Sequence, residues 1–371
     1  MTGGSDPRAS NGQRVPVRED LREIEPYGAP QLEVPVRLNT NETPEPPPPQ
    51  FETTLRERLV GLDLHRYPDR ALSALRRRLA ALEGLTPERT WAANGSNEVL
   101  LQLLQAYGGP TRRLLLFRPG YSMYPLLARI TLTEVVTVDL PADFVFTARL
   151  ARAAMTTHDP DLVMLAHPNN PTGIPVPHEV IRAVHDTSRA LIVVDEAYVE
   201  FGAPSVRPLL DILPRLVVTR TFSKAYRLAG LRLGYLLAHD WIVDDLRRVR
   251  LPYHLDTLKQ LAAECALDLG PAMLGHIPRI AAERERVTQA LTTMSGVDVY
   301  PSAANFILFR TGIADMFQRL LARGVLVRDF SRRPRLEGCL RVTIGTPAED
   351  DAFLAALSDA LSDRVSSPGG P

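Results

Sequence analysis

The run from Arg220 to Arg232 holds one lysine, Lys224, between Ser223 and Ala225, with Arg232 eight positions further on. It follows Leu216-Val217-Val218-Thr219, an apolar β-branched run that predicts a short buried strand. In an open α/β sheet, ligands collect outside the carboxyl ends of the strands. A lysine placed there can form a Schiff base with a carbonyl compound, and an arginine beside it can grip a phosphate through its planar fork. Alone, a Ser-Lys pair reads as an ordinary surface loop.

Other stretches of the same kind change that reading. Asp195-Glu196-Ala197-Tyr198 closes the apolar run Leu191-Ile192-Val193-Val194. An aspartate there serves either as a helix cap or ion-pair partner, or as a carboxylate held against a ring nitrogen that must keep a proton. His167-Pro168-Asn169-Asn170-Pro171-Thr172-Gly173 follows Val163 to Ala166. It reads as a tight turn, or as a turn that fixes the Asn170 amide at the ligand edge. Gly95-Ser96-Asn97 opens a helix, as a plain N-cap or as a phosphate cup built from free N–H groups and the helix dipole. Tyr121, after the strand ending at Phe117, is a loop anchor or a ring that stacks on a planar ligand.

These residues need a frame. Strands are predicted at about 112–117, 134–138, 161–166, 190–195, 215–219 and 232–238, with helical segments between most of them. That alternation implies an α/β fold with a mainly parallel sheet covered by helices, over residues 51–250. From about 251 to 362 the pattern changes to helices at 255–269 and 276–293, shorter strands at about 305–309, 325–328 and 339–344, and helices at 314–323 and 348–361. This predicts a smaller α+β domain. Residues 21–50, with the proline run Pro46 to Pro49, form an extended arm expected to join it. Residues 1–20 and 363–371 are Gly-, Ser- and Arg- or Pro-rich and are expected to be mobile tails.

Composition narrows the function class. The 371 residues carry 43 basic and 43 acidic side chains, so no net field favours nucleic acid or a membrane surface. No apolar run approaches the ~20 residues of a membrane span. Cys265 and Cys339 lie far apart and outside any metal-ligand spacing, so neither a disulfide framework nor a metal site is expected, and a cytoplasmic location is. A regulator with an added DNA-binding module has no room in the short N-terminal arm.

Lysine, ring-nitrogen carboxylate, phosphate cup, stacking ring and phenolic-oxygen partners together suit a phosphorylated aromatic aldehyde, which is pyridoxal phosphate chemistry. The order and spacing of the motifs resemble the fold-type I aminotransferases over about residues 21–361. Pro26-Tyr27-Gly28-Ala29, Arg66-Tyr67-Pro68-Asp69, Tyr121-Ser122-Met123-Tyr124, Ser302-Ala303-Ala304-Asn305-Phe306, Val327-Arg328-Asp329 and Gly338-Cys339-Leu340-Arg341 look like the histidinol-phosphate aminotransferase family. The resemblance implies that Lys224 carries pyridoxal 5'-phosphate and shuttles the proton. It implies that Asp195 pairs with the pyridine nitrogen, that Tyr198 and Asn170 meet the phenolic oxygen, and that Tyr121 stacks. Gly95, Ser96, Asn97, Thr221 or Ser223, and Arg232 would hold the phosphate. Tyr67 would reach it from a second subunit, making a homodimer with shared sites. Tyr27, Asn41, Asn305, Arg328 and Arg341 would line the substrate side.

The implied reaction is transamination of L-histidinol phosphate with 2-oxoglutarate in histidine biosynthesis. The alternatives are an aromatic or specialised amino donor, or decarboxylation of a phosphorylated amino acid. Two departures bear on that choice. Lys224 is followed by Ala225-Tyr226-Arg227 where Ala-Phe and a small residue are commoner, and Pro252-Tyr253-His254-Leu255 runs into Asp256-Thr257-Leu258-Lys259.

Overall fold

The computed structural model describes residues 15–22, 24, 28 and 30–363. Tyr27 and most of the two expected tails lie outside the described residues. Within the first tail, Glu19–Leu21 form a short 3-10 turn.

The chain enters through an arm whose strand β1 (Val36–Arg37) is followed by helix Pro49–Leu59. Then come seven strands: β2 (Thr90–Ala93), β3 (Arg113–Arg118), β4 (Glu134–Asp139), β5 (Leu162–Ala166), β6 (Leu191–Asp195), β7 (Leu216–Thr221) and β8 (Gly234–Leu237). They make one sheet in the order β2-β8-β7-β6-β5-β3-β4. From β4 to β7 every pairing is parallel, and β8 runs antiparallel to both β7 and β2. Every residue of β5 and β6 is buried, because helices cover both faces and alternation has no solvent side to serve. The chain lays β4 on one side of β3 and β5 on the other, so the strand order reverses there. Ligands bind at such reversals, outside the carboxyl ends.

β2, Thr-Trp-Ala-Ala, was not expected as a strand. Its two alanines give no β signal, and it exists because its backbone pairs with β8 across a long stretch of chain.

The second unit is an antiparallel sheet of β9 (Val297–Val299), β10 (Phe306–Thr311), β12 (Arg328–Asp329) and β13 (Cys339–Thr343), in the order β12-β13-β10-β9. Strand β11 (Val325–Leu326) pairs with β1, so the arm is fastened to this unit. Leu38 from the arm sits in its core beside Ile344, Phe353 and Leu357. Helix Thr257–Asp268 puts Ala262, Ala263, Cys265 and Ala266 into the core of the larger unit, with Leu255 and Met273. Periodicity shows that a helix has an apolar face but not which sheet receives it. Residues up to Met273 therefore pack with the large sheet, and helix Ile277–Thr293 contributes Ile280, Val287 and Leu291 to the smaller core.

One contact fixes the site-bearing edge. Gly234, first in β8, lies against the start of helix Ser96–Tyr107; a Cβ there would come 2.2 Å from the Ser96 amide nitrogen. No side-chain rotation relieves a clash with backbone. Gly234→Ala is expected to destabilise the fold by about 1–3 kcal/mol. Thermal melts of both proteins measure the effect.

Candidate active site

The carboxyl ends of β3, β5, β6 and β7 deliver side chains into one cleft, lined by Ser96, Asn97, Tyr121, Ala166, Asn170, Asp195, Ala197, Tyr198, Thr221, Ser223, Lys224 and Arg232. Asp195 ends β6 and is buried. Tyr124 Oη donates to its Oδ2 at 3.0 Å and Thr219 Oγ1 to its Oδ1 at 3.1 Å. Burial nevertheless pushes the carboxyl up to about 6, against these hydrogen bonds, which pull the other way. Among the described residues no lysine or arginine pairs with it. A cationic ring nitrogen would supply the missing charge.

Helix Ser96–Tyr107 starts at Gly95, whose φ of +86° frees the first amides toward the cleft. Across from it, Arg232 also sits in the left-handed region, with a φ of +52°. Its Nη1 donates to Ser223 Oγ at 3.1 Å and to the Ala229 carbonyl at 3.1 Å. A Cβ on Gly95 would stand 2.9 Å from Arg232 Nη2, so the glycine keeps a cradle open between helix start and guanidinium. Thr221 Oγ1 accepts from the Ser223 amide at 3.1 Å and orients that serine. Helix amides, two hydroxyls and a guanidinium suit a dianionic phosphate.

Lys224 follows β7. Its Nζ donates to the Thr40 carbonyl at 2.9 Å and stands 5.8 Å from the Tyr198 ring centroid. Burial pushes the amine down to about 7, helped by the Arg341 and Arg232 charges and opposed by Glu42. A neutral amine is the nucleophilic form. Tyr198 Oη accepts from Asn41 Nδ2 at 3.0 Å and from Asn170 Nδ2 at 3.4 Å. Tyr121 Oη donates to Asn97 Oδ1 at 3.4 Å, and its ring meets Tyr124 edge-on.

On the substrate side, Arg341 is buried; its Nη1 donates to Asn170 Oδ1 at 2.5 Å and its Nη2 to the Asn39 carbonyl at 3.0 Å. Phe306 and Phe330 flank the guanidinium at 5.1 and 5.5 Å. Arg328 lies directly opposite Arg341 in the β12–β13 register. Asn305 Nδ2 donates to the Asn41 carbonyl at 3.1 Å, and Asn41 is fixed in turn by Thr343. Tyr67 is not in the cleft: it is 80% exposed and stacks on Tyr253 at 4.4 Å.

Sequence reading missed Tyr124, Thr219 and the Thr40 and Asn39 carbonyls. Tyr124 was within reach, three positions after Tyr121 on a helical spacing, and Thr219 faces the same edge as Asp195, its register partner. The carbonyls had no signal, since backbone atoms look alike in every sequence.

The cleft therefore has a place for each part of pyridoxal phosphate: a cradle for phosphate, a buried carboxylate lacking a cation, and a lysine held near neutrality. Comparison with known proteins agrees. The sequence pattern of the family described as Aminotransferase class I and II matches residues 33–357, and the chain belongs to that family of pyridoxal-phosphate-dependent aminotransferases. Within it, the chain is 48% identical to a histidinol-phosphate aminotransferase of Mycolicibacterium smegmatis, over 96% of each chain. The histidinol-phosphate aminotransferase of Sinorhizobium meliloti, solved in complex with pyridoxal-5'-phosphate, superposes with a TM-score of 0.81 at 27% identity, covering 90% of this chain and 92% of that one. The L-threonine-O-3-phosphate decarboxylase of Porphyromonas gingivalis gives 0.77 at 26% identity, covering 88% and 99%.

Lys224 sets a pH signature of the cofactor-free protein. Its amine falls from 10.5 when free to about 7 in the fold, so between those values the unfolded chain holds a proton that the folded chain does not. The fold thus loses stability as pH falls from 10.5 to about 7, and the loss is complete below that. Lys224→Met is expected to gain stability over wild type through that window and to hold a constant advantage below it. Urea melts of both proteins at a series of pH values read the difference.

Proposed function

We propose that this chain transfers the amino group of L-histidinol phosphate to 2-oxoglutarate, giving imidazole acetol phosphate and glutamate, as a cytoplasmic step of histidine biosynthesis. The observation that carries the substrate is the pair Arg328 and Arg341. Residues directly opposite on antiparallel strands share a face, and like charges there repel. An anion of high charge between them turns that repulsion into binding. A phosphate dianion suits both cations, whereas the carboxylate of glutamate needs only the buried one.

Bound pyridoxal phosphate supplies the electron sink that makes the donor's Cα acidic. Asp195 holds the proton on the pyridine nitrogen, with Tyr124 and Thr219 keeping its carboxylate aimed. Tyr198 and Asn170 take the phenolic oxygen. Ser96, Thr221, Ser223 and Arg232 hold the phosphate. Lys224 Nζ would take the proton from the donor's Cα and hold it for return, a role suited to an amine that titrates near 7. Asn170 also braces Arg341, so one amide ties the cofactor side to the substrate side.

Tyr67 completes the phosphate cup of a second copy, so the working form is a homodimer. Support comes from the exposed aromatic pair it forms with Tyr253, near exposed Leu64 and Leu251 in the sequence. Such a patch on one chain marks a face that another chain covers.

The deciding experiment is a panel of amino donors, namely histidinol phosphate, phenylalanine, tyrosine and threonine phosphate, with each half-reaction followed alone. Histidinol phosphate is expected to be the best donor. Release of carbon dioxide from threonine phosphate would favour the decarboxylase reading instead. In the same assay, Arg341→Ala should impair both half-reactions by about 30-fold or more, the cost of a buried charge-assisted partner at about 2–5 kcal/mol. Arg328→Ala should harm histidinol phosphate turnover more than glutamate turnover. Equal damage to both substrates would sink the phosphate-specific role of Arg328.

Assembly has its own test. Tyr67→Phe alone loses affinity for the cofactor, and a Tyr67→Ala chain mixed with a Lys224→Ala chain should regain activity through heterodimers with one intact site. Subunit exchange without recovery would mean that Tyr67 serves its own chain.

A further inference from the structure

Arg227 occupies an unusual position for its type. It lies three residues after Lys224 with a φ of +59°, in the left-handed region where a side chain other than glycine costs about 1–2 kcal/mol. Its side chain is only 7% exposed although it carries a full charge. Both features oppose folding, so the side chain must return something to the structure.

It returns a three-way strap. Arg227 Nη1 donates to the Pro46 carbonyl at 2.9 Å and stands 3.7 Å from Glu45 Oε2, both on the arm. Arg227 Nε donates to His276 Nδ1 at 2.9 Å, at the start of the long helix of the smaller unit. The same His276 nitrogen also stands 3.2 Å from the Met273 carbonyl. The other ring nitrogen is buried with no partner among the described residues, and burial with the neighbouring Arg227 charge pushes the ring down to about 4. His276 is therefore neutral throughout the physiological range.

The arm segment held by this strap is the one that reaches the lysine. Thr43 Oγ1 donates to the Lys224 carbonyl at 2.7 Å, which also accepts from the Arg227 amide at 3.0 Å. Thr40 offers its carbonyl to Lys224 Nζ, and Asn41 donates to Tyr198 Oη. Arg279 Nη2 also holds Glu45 Oε2 at 2.6 Å, so loss of Arg227 loosens the arm at Pro46 and weakens the anchor of those three contacts.

We propose that Arg227 is a positioning residue for transamination: by tying Pro46 and His276 to the lysine turn, it holds Thr40, Asn41 and Thr43 against Lys224 and Tyr198. Arg227 touches neither cofactor nor substrate, and it acts through the arm. The proposal rests on the transamination reading only for its kinetic consequence, since the packing of the arm is a property of the chain itself.

Arg227→Gly is the informative variant, because glycine adopts the same φ freely and offsets the lost bonds by relieving backbone strain. Three readouts are taken. Hydrogen exchange of cofactor-free protein should quicken about tenfold in peptides spanning 38–46, while the strands of the large sheet keep wild-type protection. In the holoenzyme, the pH midpoint of the cofactor's visible absorbance should shift, because Tyr198 loses part of its support. The rate constant kcat should fall by about tenfold with little change in KM. Arg227→Lys, which can keep the Pro46 bond but not the fork to His276, should recover part of each effect, and carries the same readouts if the glycine variant does not fold. Wild-type arm exchange and an unmoved midpoint would overturn the proposal, as would exchange that quickens uniformly across the large sheet. If no amino donor is accepted by the wild-type enzyme, the function reading fails, and arm exchange still decides the strap.

Discussion

Burial of Lys224 and Asp195 in one cleft is the constraint on which the rest of the structure depends. Withdrawal from water disfavours whichever form is charged, so it moves the two groups in opposite directions, the amine down to about 7 and the carboxyl up to about 6. Each group is thereby prepared for a partner the chain does not provide. The amine is poised to react with a carbonyl, and the carboxylate is poised to receive a cation. The residues around them leave the cleft unfilled. Small residues, Ala166 and Ala197, line it where larger ones would close it. The arm crosses over the lysine, lending it the Thr40 carbonyl and lending Tyr198 the Asn41 amide.

How the frame withdraws the two groups from water is visible in the topology. The buried parallel strands place Asp195 and Thr219 at matched positions at their carboxyl ends, while helices seal both faces. The smaller unit meets the cleft through β13, whose Arg341 donates to Asn170 in the cleft wall. The arm belongs to both: it pairs with β11, buries Leu38 in the smaller core and reaches the lysine turn of the larger unit. A displacement of either unit is thus felt at Lys224.

Much of this was legible in the residues. Strands β3 to β8 lie within two residues of where apolar runs predicted them, because fully buried strands announce themselves by composition. Lys224, Asp195, Asn170, Tyr198, Ser96 and Arg232 were legible because strand ends and helix starts can be located, and those are the places where an open sheet binds ligands. What escaped was set by contacts distant in sequence. β2 exists through β8, helix Thr257–Asp268 is assigned by the sheet it covers, and the Thr40 carbonyl matters only because the arm happens to cross there. Tyr67 was read as reaching the cofactor of a second subunit, and in its own chain it lies on the surface.

The neighbours Asp195 and Glu196 show how the fold separates two like side chains. Successive residues at a strand end point to opposite sides, so the pair cannot share a fate. Glu196 is fully buried yet paired, with Arg220 Nη2 at 2.9 Å, Ser205 Oγ at 2.9 Å and the Val206 amide all directed at its carboxylate. Arg220 continues to Glu83 at 2.8 Å, joining β7 to helix Ser73–Glu83. That carboxylate is complete within the chain, and its work is to bind strand to strand and sheet to helix. Asp195, one residue earlier and no less buried in kind, receives only hydroxyl and amide donors. A buried anion costs several kcal/mol unless a charge answers it, and the arginine of β7 follows Thr219, the register partner of Asp195, onto the opposite side. Arg220 is turned to Glu196 instead. Leaving Asp195 without a cation while satisfying its neighbour is a cost that folding alone does not explain, and a protonated ring nitrogen does.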